Sequence, residues 1–336
     1  MQKITPHAHK NFVNAWYDTS QSGGRFERKE SSFRNWITVD GAAGASGVAG
    51  FKAATNRYHL YISMACPWAH RTLLTHKLKN LDSMITISNT LPYMGPKSWR
   101  FTPDQGRLFM HKGLGVDDQD SYIEYLYELY QLVDPNYDSR ATVPVLWDKQ
   151  QQTIVSNESA EIVRMFNSAF NLVGANDIDL YPEHLQSQID ELNNILYPTI
   201  NNGVYRTGFA TTQAAYEEAV WPLFATLDQL EQRLSSQRYL FGKCLTESDC
   251  RLFPTLVRFD SIYVGHFKCG LRRLVDYPNL WAYTRDIYQL PGIAATVDIQ
   301  YNKQHYYGSH PTINLSGIIP VGPVQDFMTP HHRSHL

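Results

Sequence analysis

Residues 58–81 read YHLYISMACPWAHRTLLTHKLKNL, and this pattern predicts a strand, a tight turn and a helix in succession. Tyr58, Leu60 and Ile62 alternate with the more polar His59, Tyr61 and Ser63, and this two-residue period is that of a strand. Leucines then recur at helical spacing at Leu74, Leu78 and Leu81. Cys66 lies between the two elements. We therefore take its thiol as the starting point for function.

The residues around Cys66 favour a reactive thiol. Pro67 suits the first position of a helix, where its missing N–H would have no intrahelical partner. This places Cys66 at a helix N-terminus, where backbone N–H groups and the helix dipole lower the pKa of a cysteine. His70 and Arg71, one turn further, could add positive charge. The alternative is a buried structural cysteine, but the succession of strand, cysteine, proline and helix favours a nucleophile.

Length and charge limit the classes of function. A chain of 336 residues with 43% hydrophobic residues predicts two domains, each with a core. The formal net charge is -2, without long runs of one sign, so the sequence carries no electrostatic footprint for nucleic acid or a membrane surface. We therefore expect small-molecule chemistry. The 21 tyrosines are compatible with an aromatic ligand, although aromatic cores are the commoner cause.

The cysteine pattern indicates a reducing compartment. The four cysteines, Cys66, Cys244, Cys250 and Cys269, are too few and too dispersed for a disulfide scaffold, and no two form a CxxC pair. Residues 1–10 contain no apolar signal-peptide core, and no run of about 18 apolar residues occurs. We expect a soluble, cytoplasmic protein.

Composition and periodicity divide the chain into five segments. Residues 1–57 are polar and glycine-bearing, and we expect an N-terminal extension that wraps the first domain. A phosphate-binding loop there is disfavoured, because no strand precedes the glycines and no Gly-Lys-Ser/Thr follows. Residues 58–167 then read as an α/β domain, 168–181 as a linker, 182–300 as a helical domain and 301–336 as a C-terminal extension.

The α/β domain has further predicted elements. Residues 84–88 predict a second strand, and Ser121 with Glu124 has capping-box spacing, which predicts a helix starting at Ser121. Residues 141–148 predict a strand interrupted by Pro144, and 153–156 its hairpin partner. A helix follows from residue 157 to 166. At its N-terminus Glu158 and Ser159 could bind a zwitterionic ligand, or simply cap the helix.

The helical domain shows apolar spacing of three or four residues over 185–196, 214–234, 247–262 and 279–290. Thr246 and Asp249 predict a capping box at the start of the third of these helices. The C-terminal segment contains residues 303–310 and 313–323, and we expect it not to be helical because it is rich in glycine and proline.

Several of these motifs resemble one family. Cys-Pro-Trp-Ala-His-Arg after Tyr-His-Leu-Tyr-Ile-Ser is similar to the active-site turn of the glutathionyl-hydroquinone reductases, or Xi-class glutathione transferases. The Thr246-x-x-Asp249 element, Leu290-Pro291-Gly292-Ile293 and the C-terminal signature over 303–323 agree with it. Leu315 departs from the usual proline, so we expect a local loop change. The resemblance spans residues 30–325 and implies a thioredoxin-like N-terminal domain, an all-helical glutathione-transferase C-terminal domain and a homodimer.

The resemblance also implies an activity, with glutathione as co-substrate and no metal. Cys66 would attack the sulfur of a glutathionyl-hydroquinone, and a second glutathione would resolve the mixed disulfide, because Ala69 stands where a CxxC motif has its second cysteine. Tyr205 would donate a proton to the ring, with Tyr263 and Tyr306 at the aromatic site. The implied glutathione pocket consists of Trp99, Arg140, Ala141, Thr142, Val143, Glu158 and Ser159, with Pro144 as the cis-proline beside the cysteine.

Other interpretations stay open at this stage. An omega-like thiol transferase or dehydroascorbate reductase would share the cysteine and the fold. A non-catalytic transferase-like interaction module is disfavoured because the thiol is present. A metal site at His331, His332 and His335 lacks ligand spacing. A Cys-His hydrolase would need a base other than His70, which follows Cys66 too closely on the same helix.

Overall fold

The computed structural model describes residues 2–3, 17–108 and 121–336, and these residues form two compact units. The first unit contains residues 2–3 and Glu30–Ile178, and the second contains Tyr17–Lys29 and Asp179–Leu336. Residues 17–29 of the predicted extension thus cluster with the second unit, whereas we expected the extension to wrap the first domain. Residues 1 and 4–16 of that extension, and 109–120 of the α/β domain, lie outside the described part.

The first unit is built on a four-stranded sheet. Its strands are β2 (Tyr58–Ile62), β3 (Ile85–Asn89), β5 (Val145–Asp148) and β6 (Thr153–Ser156), and their order in the sheet is β3-β2-β5-β6. β2 runs parallel to β3 and antiparallel to β5, and β5 pairs antiparallel with β6. Every residue of β2 is buried, so the alternation over 58–63 marks two buried faces rather than one solvent face. His59, for example, bonds through Nδ1 to Thr86 Oγ1 at 2.6 Å.

Three α-helices are described in the first unit. They are α1 (Pro67–Leu78), α2 (Leu126–Val133) and α3 (Ser159–Ser168). α1 and α3 pack against each other. The predicted succession of β2, Cys66 and α1 is confirmed, and so is the hairpin of β5 and β6.

The predicted start of a helix at Ser121 is wrong. Ser121–Tyr122 instead form strand β4, which pairs in parallel with β1 (Gln2–Lys3). The Glu128 carboxylate accepts the backbone N–H groups of Glu124 and Tyr125 at 2.7 and 3.0 Å, so it, rather than Glu124, satisfies the donors at the start of α2. Glu124 forms ion pairs with Lys3 and Arg100. The capping box therefore consists of Tyr125 and Glu128, four residues after the predicted pair of Ser121 and Glu124.

The second unit is helical, apart from loops and short turns in the residues described. Its α-helices are α4 (Gln186–Leu196), α5 (Gly203–Gly208), α6 (Gln213–Arg233), α7 (Glu247–Leu256), α8 (Pro278–Tyr288) and α9 (Ile299–Ser309). Two π-helical turns, Tyr197–Asn201 and Phe259–Tyr263, follow α4 and α7. The single helix predicted over 247–262 is therefore two elements, an α-helix that ends at Leu256 and a π-helical turn over Phe259–Tyr263. None of the helices in either described unit is both long and apolar enough to cross a bilayer.

The prediction that residues 303–310 are not helical is wrong for 303–309, which lie in α9. Asp298 caps this helix, since its Oδ1 accepts the Tyr301 N–H at 2.8 Å. The single glycine, Gly308, lies one residue before the end of the helix, and the first proline comes only at Pro311. Glycine and proline are concentrated after α9, so they end the helix without disrupting its interior.

The predicted capping box of α7 is confirmed, and its carboxyl group is completely buried. Asp249 Oδ2 accepts the backbone N–H and the hydroxyl of Thr246 at 2.8 and 2.9 Å. Its Oδ1 accepts the Leu240 N–H at 3.0 Å and the Tyr283 hydroxyl at 2.8 Å. One side chain therefore joins α7 to the preceding loop and to α8.

Candidate active site

Cys66 is the N-cap residue of α1, with extended backbone angles (φ −80°, ψ 118°). Its carbonyl accepts the His70 N–H at 2.9 Å, and Pro67 occupies the first helical position. The Cys66 Sγ lies 3.5 Å from the Val143 carbonyl oxygen, to which the thiol donates. The thiol is in no disulfide and is half-buried, which leaves part of it accessible to solvent.

The other cysteines have different surroundings. Cys250 and Cys269 are buried, and Cys244 is exposed. Burial raises the pKa of the Cys269 thiol far above its ordinary value, which opposes formation of a thiolate there. Cys66 thus combines partial exposure with a helix N-terminus.

The loop before β5 faces Cys66. The Val143–Pro144 peptide bond is cis, as the resemblance implies. Tyrosine hydroxyl groups hold the neighbouring carbonyls of this loop: Tyr137 donates to the Arg140 carbonyl at 2.9 Å, and Tyr130 donates to the Thr142 carbonyl at 2.7 Å. The Ala141 carbonyl accepts the Ser98 hydroxyl at 3.2 Å. These bonds fix the backbone that presents the Val143 carbonyl to the sulfur.

The remaining predicted glutathione-pocket residues also belong to the first unit. Trp99 is 7% exposed, and its carbonyl accepts the Leu126 N–H at 2.9 Å. Glu158 caps α3, because its Oε1 accepts the Ala160 N–H at 3.0 Å, while its Oε2 accepts the Ser31 hydroxyl at 3.0 Å. Ser159 is buried at the same helix start. The capping alternative for Glu158 is therefore present in the structure, and its role toward a ligand stays a prediction.

In the second unit, three tyrosines distant in sequence meet at their hydroxyl groups. Tyr205 lies on α5, Tyr263 in the π-helical turn after α7, and Tyr306 on α9. The Tyr306 hydroxyl oxygen is 2.7 Å from that of Tyr205 and 3.3 Å from that of Tyr263. Tyr306 and Tyr263 are buried, whereas Tyr205 is half-buried. We call these three residues the tyrosine cluster; its arrangement can relay a proton from the interior to the Tyr205 hydroxyl.

Burial governs the acidity of the tyrosine cluster. Burial raises the pKa of Tyr306 well above its ordinary value, and the neighbouring Tyr205 and Tyr263 add to that shift, while the Arg258 guanidinium opposes it. The hydroxyl therefore stays protonated at neutral pH and can donate. Close by, His266 Nε2 lies 2.9 Å from His310 Nδ1, and burial lowers the pKa of His266 to about 3.

Sequence reasoning missed the groups that surround Tyr205. Phe209 stacks on its ring at 6.3 Å, and Phe267 meets it edge-on at 5.3 Å. The Arg28 guanidinium carbon lies 5.0 Å from the centre of the Tyr205 ring, and Arg28 Nε donates to Asn202 Oδ1 at 3.1 Å. Arg28 precedes Tyr205 by 177 positions in the sequence, and no spacing signal connects them.

One of the three C-terminal histidines, His331, lies beside a carboxylate that an arginine also binds. His331 Nε2 lies 3.5 Å from Asp286 Oδ1, and Arg238 forms a bidentate ion pair with the same carboxylate. In the described residues, no group of three or more histidine, cysteine, aspartate and glutamate side chains is placed to hold a metal ion.

Comparison with known proteins places these features in a family. The model of the glutathione S-transferase N-terminal domain matches residues 65–169, and that of the C-terminal domain matches residues 213–286. The chain is 54% identical to the glutathionyl-hydroquinone reductase YqjG of Escherichia coli, over 95% of both chains. It is 50% identical to the glutathionyl-hydroquinone reductase PcpF of Sphingobium chlorophenolicum, over 93% of this chain and 94% of that one.

Two further comparisons bear on fold and ligand. The "glutathione S-transferase omega-like 2" of Schizosaccharomyces pombe is 45% identical over 91% of this chain and 96% of its own. The glutathione-bound structure of E. coli YqjG aligns with a TM-score of 0.83, covering 90% of this chain and 96% of that one. The fold is thus a thioredoxin-like domain followed by a helical glutathione-transferase domain. The chain belongs to the Xi-class glutathione transferases, the family of the glutathionyl-hydroquinone reductases.

Proposed function

We propose that this chain reduces glutathionyl-hydroquinones to hydroquinones with glutathione as co-substrate, releasing oxidised glutathione. The observation that carries the proposal is the half-buried Cys66 thiol at the N-terminus of α1, 3.5 Å from the Val143 carbonyl, in a chain 54% identical to a glutathionyl-hydroquinone reductase. Such a thiol is suited to attack a sulfur atom, because its thiolate is favoured by the helix N-terminus.

The first step is attack by the Cys66 thiolate on the sulfur of the conjugate. The new S–S bond joins Cys66 to glutathione, and the electron pair of the breaking C–S bond passes to the ring carbon. The thiol donates to the Val143 carbonyl in the resting structure, so it must lose its proton before it attacks. Ligand binding at this carbonyl would release the sulfur from that bond.

The ring carbon must gain a proton as the C–S bond breaks, because a carbanion is a poor leaving group. We assign this proton to Tyr205, the half-buried member of the tyrosine cluster. Tyr306 can then donate to the Tyr205 oxygen across 2.7 Å, and Tyr263 lies 3.3 Å from Tyr306.

A second glutathione completes the cycle. Its thiolate attacks the glutathione sulfur of the mixed disulfide, which forms oxidised glutathione and returns Cys66 as a thiolate. Ala69 stands at the position of the second thiol of a CxxC motif, so the chain does not supply the resolving thiol at that position. Glutathione is therefore consumed as a reactant.

We assign the glutathione tripeptide to the loop beside Cys66 and to the start of α3. The extended backbone of Arg140, Ala141, Thr142, Val143 and Pro144 suits a peptide-like ligand that pairs as an added strand. Glu158 and Ser159 lie at a helix N-terminus, which favours the charged end of such a ligand, and Trp99 is assigned to the same pocket.

We also infer a homodimer in a reducing, cytoplasmic compartment. The dimer follows the usual state of glutathione transferases. The compartment follows from the chemistry, because the reaction needs reduced glutathione and a reduced Cys66 thiol.

Turnover of a glutathionyl-hydroquinone such as glutathionyl-menadiol, with glutathione in excess, tests the proposal. We expect hydroquinone and oxidised glutathione in equal amounts, and no turnover by Cys66→Ser. The matched control is Cys244→Ser, which removes an exposed thiol and should retain full activity. Dehydroascorbate and a conventional conjugation substrate are measured in parallel. A higher kcat/KM for dehydroascorbate would favour the omega-like alternative, and absence of turnover with all three would favour a non-catalytic module.

A further inference from the structure

We propose that Arg28 is a positioning residue for the protonation step: its guanidinium stabilises the phenolate that Tyr205 becomes when it gives its proton to the substrate ring. This inference rests on the proposed function, since it concerns the acid of that reaction. It assigns a role to residues 17–29, which neither family model covers.

Arg28 is tied to the helix that carries Tyr205. Its guanidinium carbon lies 5.0 Å from the centre of the Tyr205 ring and 5.3 Å from that of Phe26, which stacks on Tyr205 at 6.2 Å. Arg28 Nε donates to Oδ1 of Asn202, the residue immediately before α5. Asn202 is itself 8% exposed, so this bond is sheltered from water. The cation is thereby held over the ring face.

Residues 17–29 are anchored to the second unit independently of Arg28. Thr19 and Thr211 share a hydrogen bond of 2.7 Å, and Arg25 forms an ion pair with Glu218 at 2.8 Å. Gly24 has a φ of +84°, and a Cβ there would lie 2.6 Å from Thr212 Oγ1. The close approach and the positive φ both require glycine. Loss of the Arg28 charge should therefore leave the segment attached.

The cation has a different effect on the two states of Tyr205. Over a neutral phenol ring, a guanidinium gains only the modest attraction of the ring quadrupole. When Tyr205 gives its proton to the ring carbon, the full negative charge left on the phenol meets a cation already in place. The product state is stabilised more than the reactant state, so Tyr205 becomes a stronger acid.

The other charged groups described near the tyrosine cluster interact with different residues. On α5 itself, Arg206 is paired with Glu218 at 3.0 Å. Arg258 acts on the inner member of the cluster, Tyr306. The other titratable groups described in ring contact with the cluster are three histidines against Tyr306, namely His266, His305 and His310. Of these, His266 is uncharged over the working pH range because burial lowers its pKa to about 3.

The test is a single-turnover measurement of hydroquinone release with enzyme in excess over glutathionyl-menadiol. Arg28→Met keeps the aliphatic stem and removes the charge. We expect release to slow about three- to tenfold, the effect of raising the pKa of the acid by roughly one unit. Because loss of the cation raises that pKa, the alkaline limb of the pH–rate profile should move to higher pH. Arg28→Lys should recover most of the rate.

Two controls separate charge from structure. Arg25→Met breaks the anchoring ion pair and should release hydroquinone at the wild-type rate. Reduction of a small glutathione mixed disulfide needs Cys66 but no ring proton, so it should be unchanged in Arg28→Met. The inference is overturned if the alkaline limb does not move, if both reactions slow equally, or if Arg25→Met has the same effect. A wild-type chain that releases no hydroquinone would remove the proposed function and this inference together, whereas an active Arg28→Met variant with wild-type behaviour would remove only the inference.

Discussion

Replacement of Asp249 provides a quantitative test of how the second unit is stabilised. The buried carboxylate accepts four hydrogen bonds, two at each oxygen. In Asp249→Asn one oxygen becomes an NH₂ group, which faces the backbone N–H of either Leu240 or Thr246. That variant loses two bonds and leaves one buried donor without an acceptor. At about 1–3 kcal/mol for each lost bond to a buried charged group, we expect the free energy of unfolding to fall by about 3 kcal/mol.

Asp249→Ala loses all four bonds and the cap, so the expected loss is about 6 kcal/mol. Tyr283→Phe removes one of the four bonds and should cost about 1.5 kcal/mol. Thr246→Ser keeps the hydroxyl that donates to Asp249, and is the matched control expected near the wild-type value. Urea unfolding of the full chain, followed by circular dichroism, gives these differences. An Asp249→Asn variant as stable as the wild type would refute the reasoning, because a carboxyl that asparagine can replace is not an ionised acceptor of four bonds.

The pH dependence of the same variant has a definite sign. Burial raises the pKa of Asp249 above its unfolded value, although the hydrogen bonds oppose this shift. The folded chain therefore binds this proton more readily than the unfolded chain. As the pH falls from neutral through the folded-state pKa toward about 4, the wild type should gain stability relative to Asp249→Asn. A difference that shrinks over that range would contradict the direction of the shift.

Three further outcomes follow from the geometry. Tyr306→Phe removes the hydroxyl that lies 2.7 Å from the Tyr205 hydroxyl. In single-turnover measurements it should slow hydroquinone release about tenfold or more and leave disulfide exchange unchanged. Equal slowing of both reactions would contradict a proton relay. Arg57→Met leaves the buried Asp148 carboxylate without its ion-pair partner. The free energy of unfolding, measured with urea, should fall by about 3 kcal/mol. A decrease of less than about 0.5 kcal/mol would show that the ion pair does not stabilise the fold. Alkylation of Cys66 should continue at pH values well below the pKa of a free thiol, and rates that follow free cysteine would contradict the helix N-terminus effect.

The parts of the fold that could be predicted from sequence are those set by local pattern. The turn at Cys66 depends on neighbours within a few positions, and the capping box of Asp249 depends on a spacing of three. The same rule misplaced the helix at Ser121, because Ser-x-x-Glu spacing also occurs where the chain pairs as a strand. α9 was missed because the glycines and prolines after Ser309 obscured a capped helix before them.

The tyrosine cluster illustrates what local pattern does not contain. Tyr205, Tyr263 and Tyr306 were selected only through family resemblance, and nothing in their own neighbourhoods relates one to another. Tertiary packing of three separate elements brings their hydroxyl groups within 3.3 Å of the central one. Arg28 belongs to no recognisable sequence motif, so its position over the Tyr205 ring is evident only in the three-dimensional structure.

Neither compact unit is one uninterrupted length of chain, because Tyr17–Lys29 belongs with Asp179–Leu336. This matters for recombination between homologues. A single crossover near residue 178 would give a hybrid in which a foreign helical unit receives the original parent's Arg28, Arg25 and Thr19. Their partners Asn202, Glu218 and Thr211 would come from the other parent. Exchange of whole units therefore needs a second breakpoint near residue 29, because otherwise each of these three polar contacts would join residues from different parents.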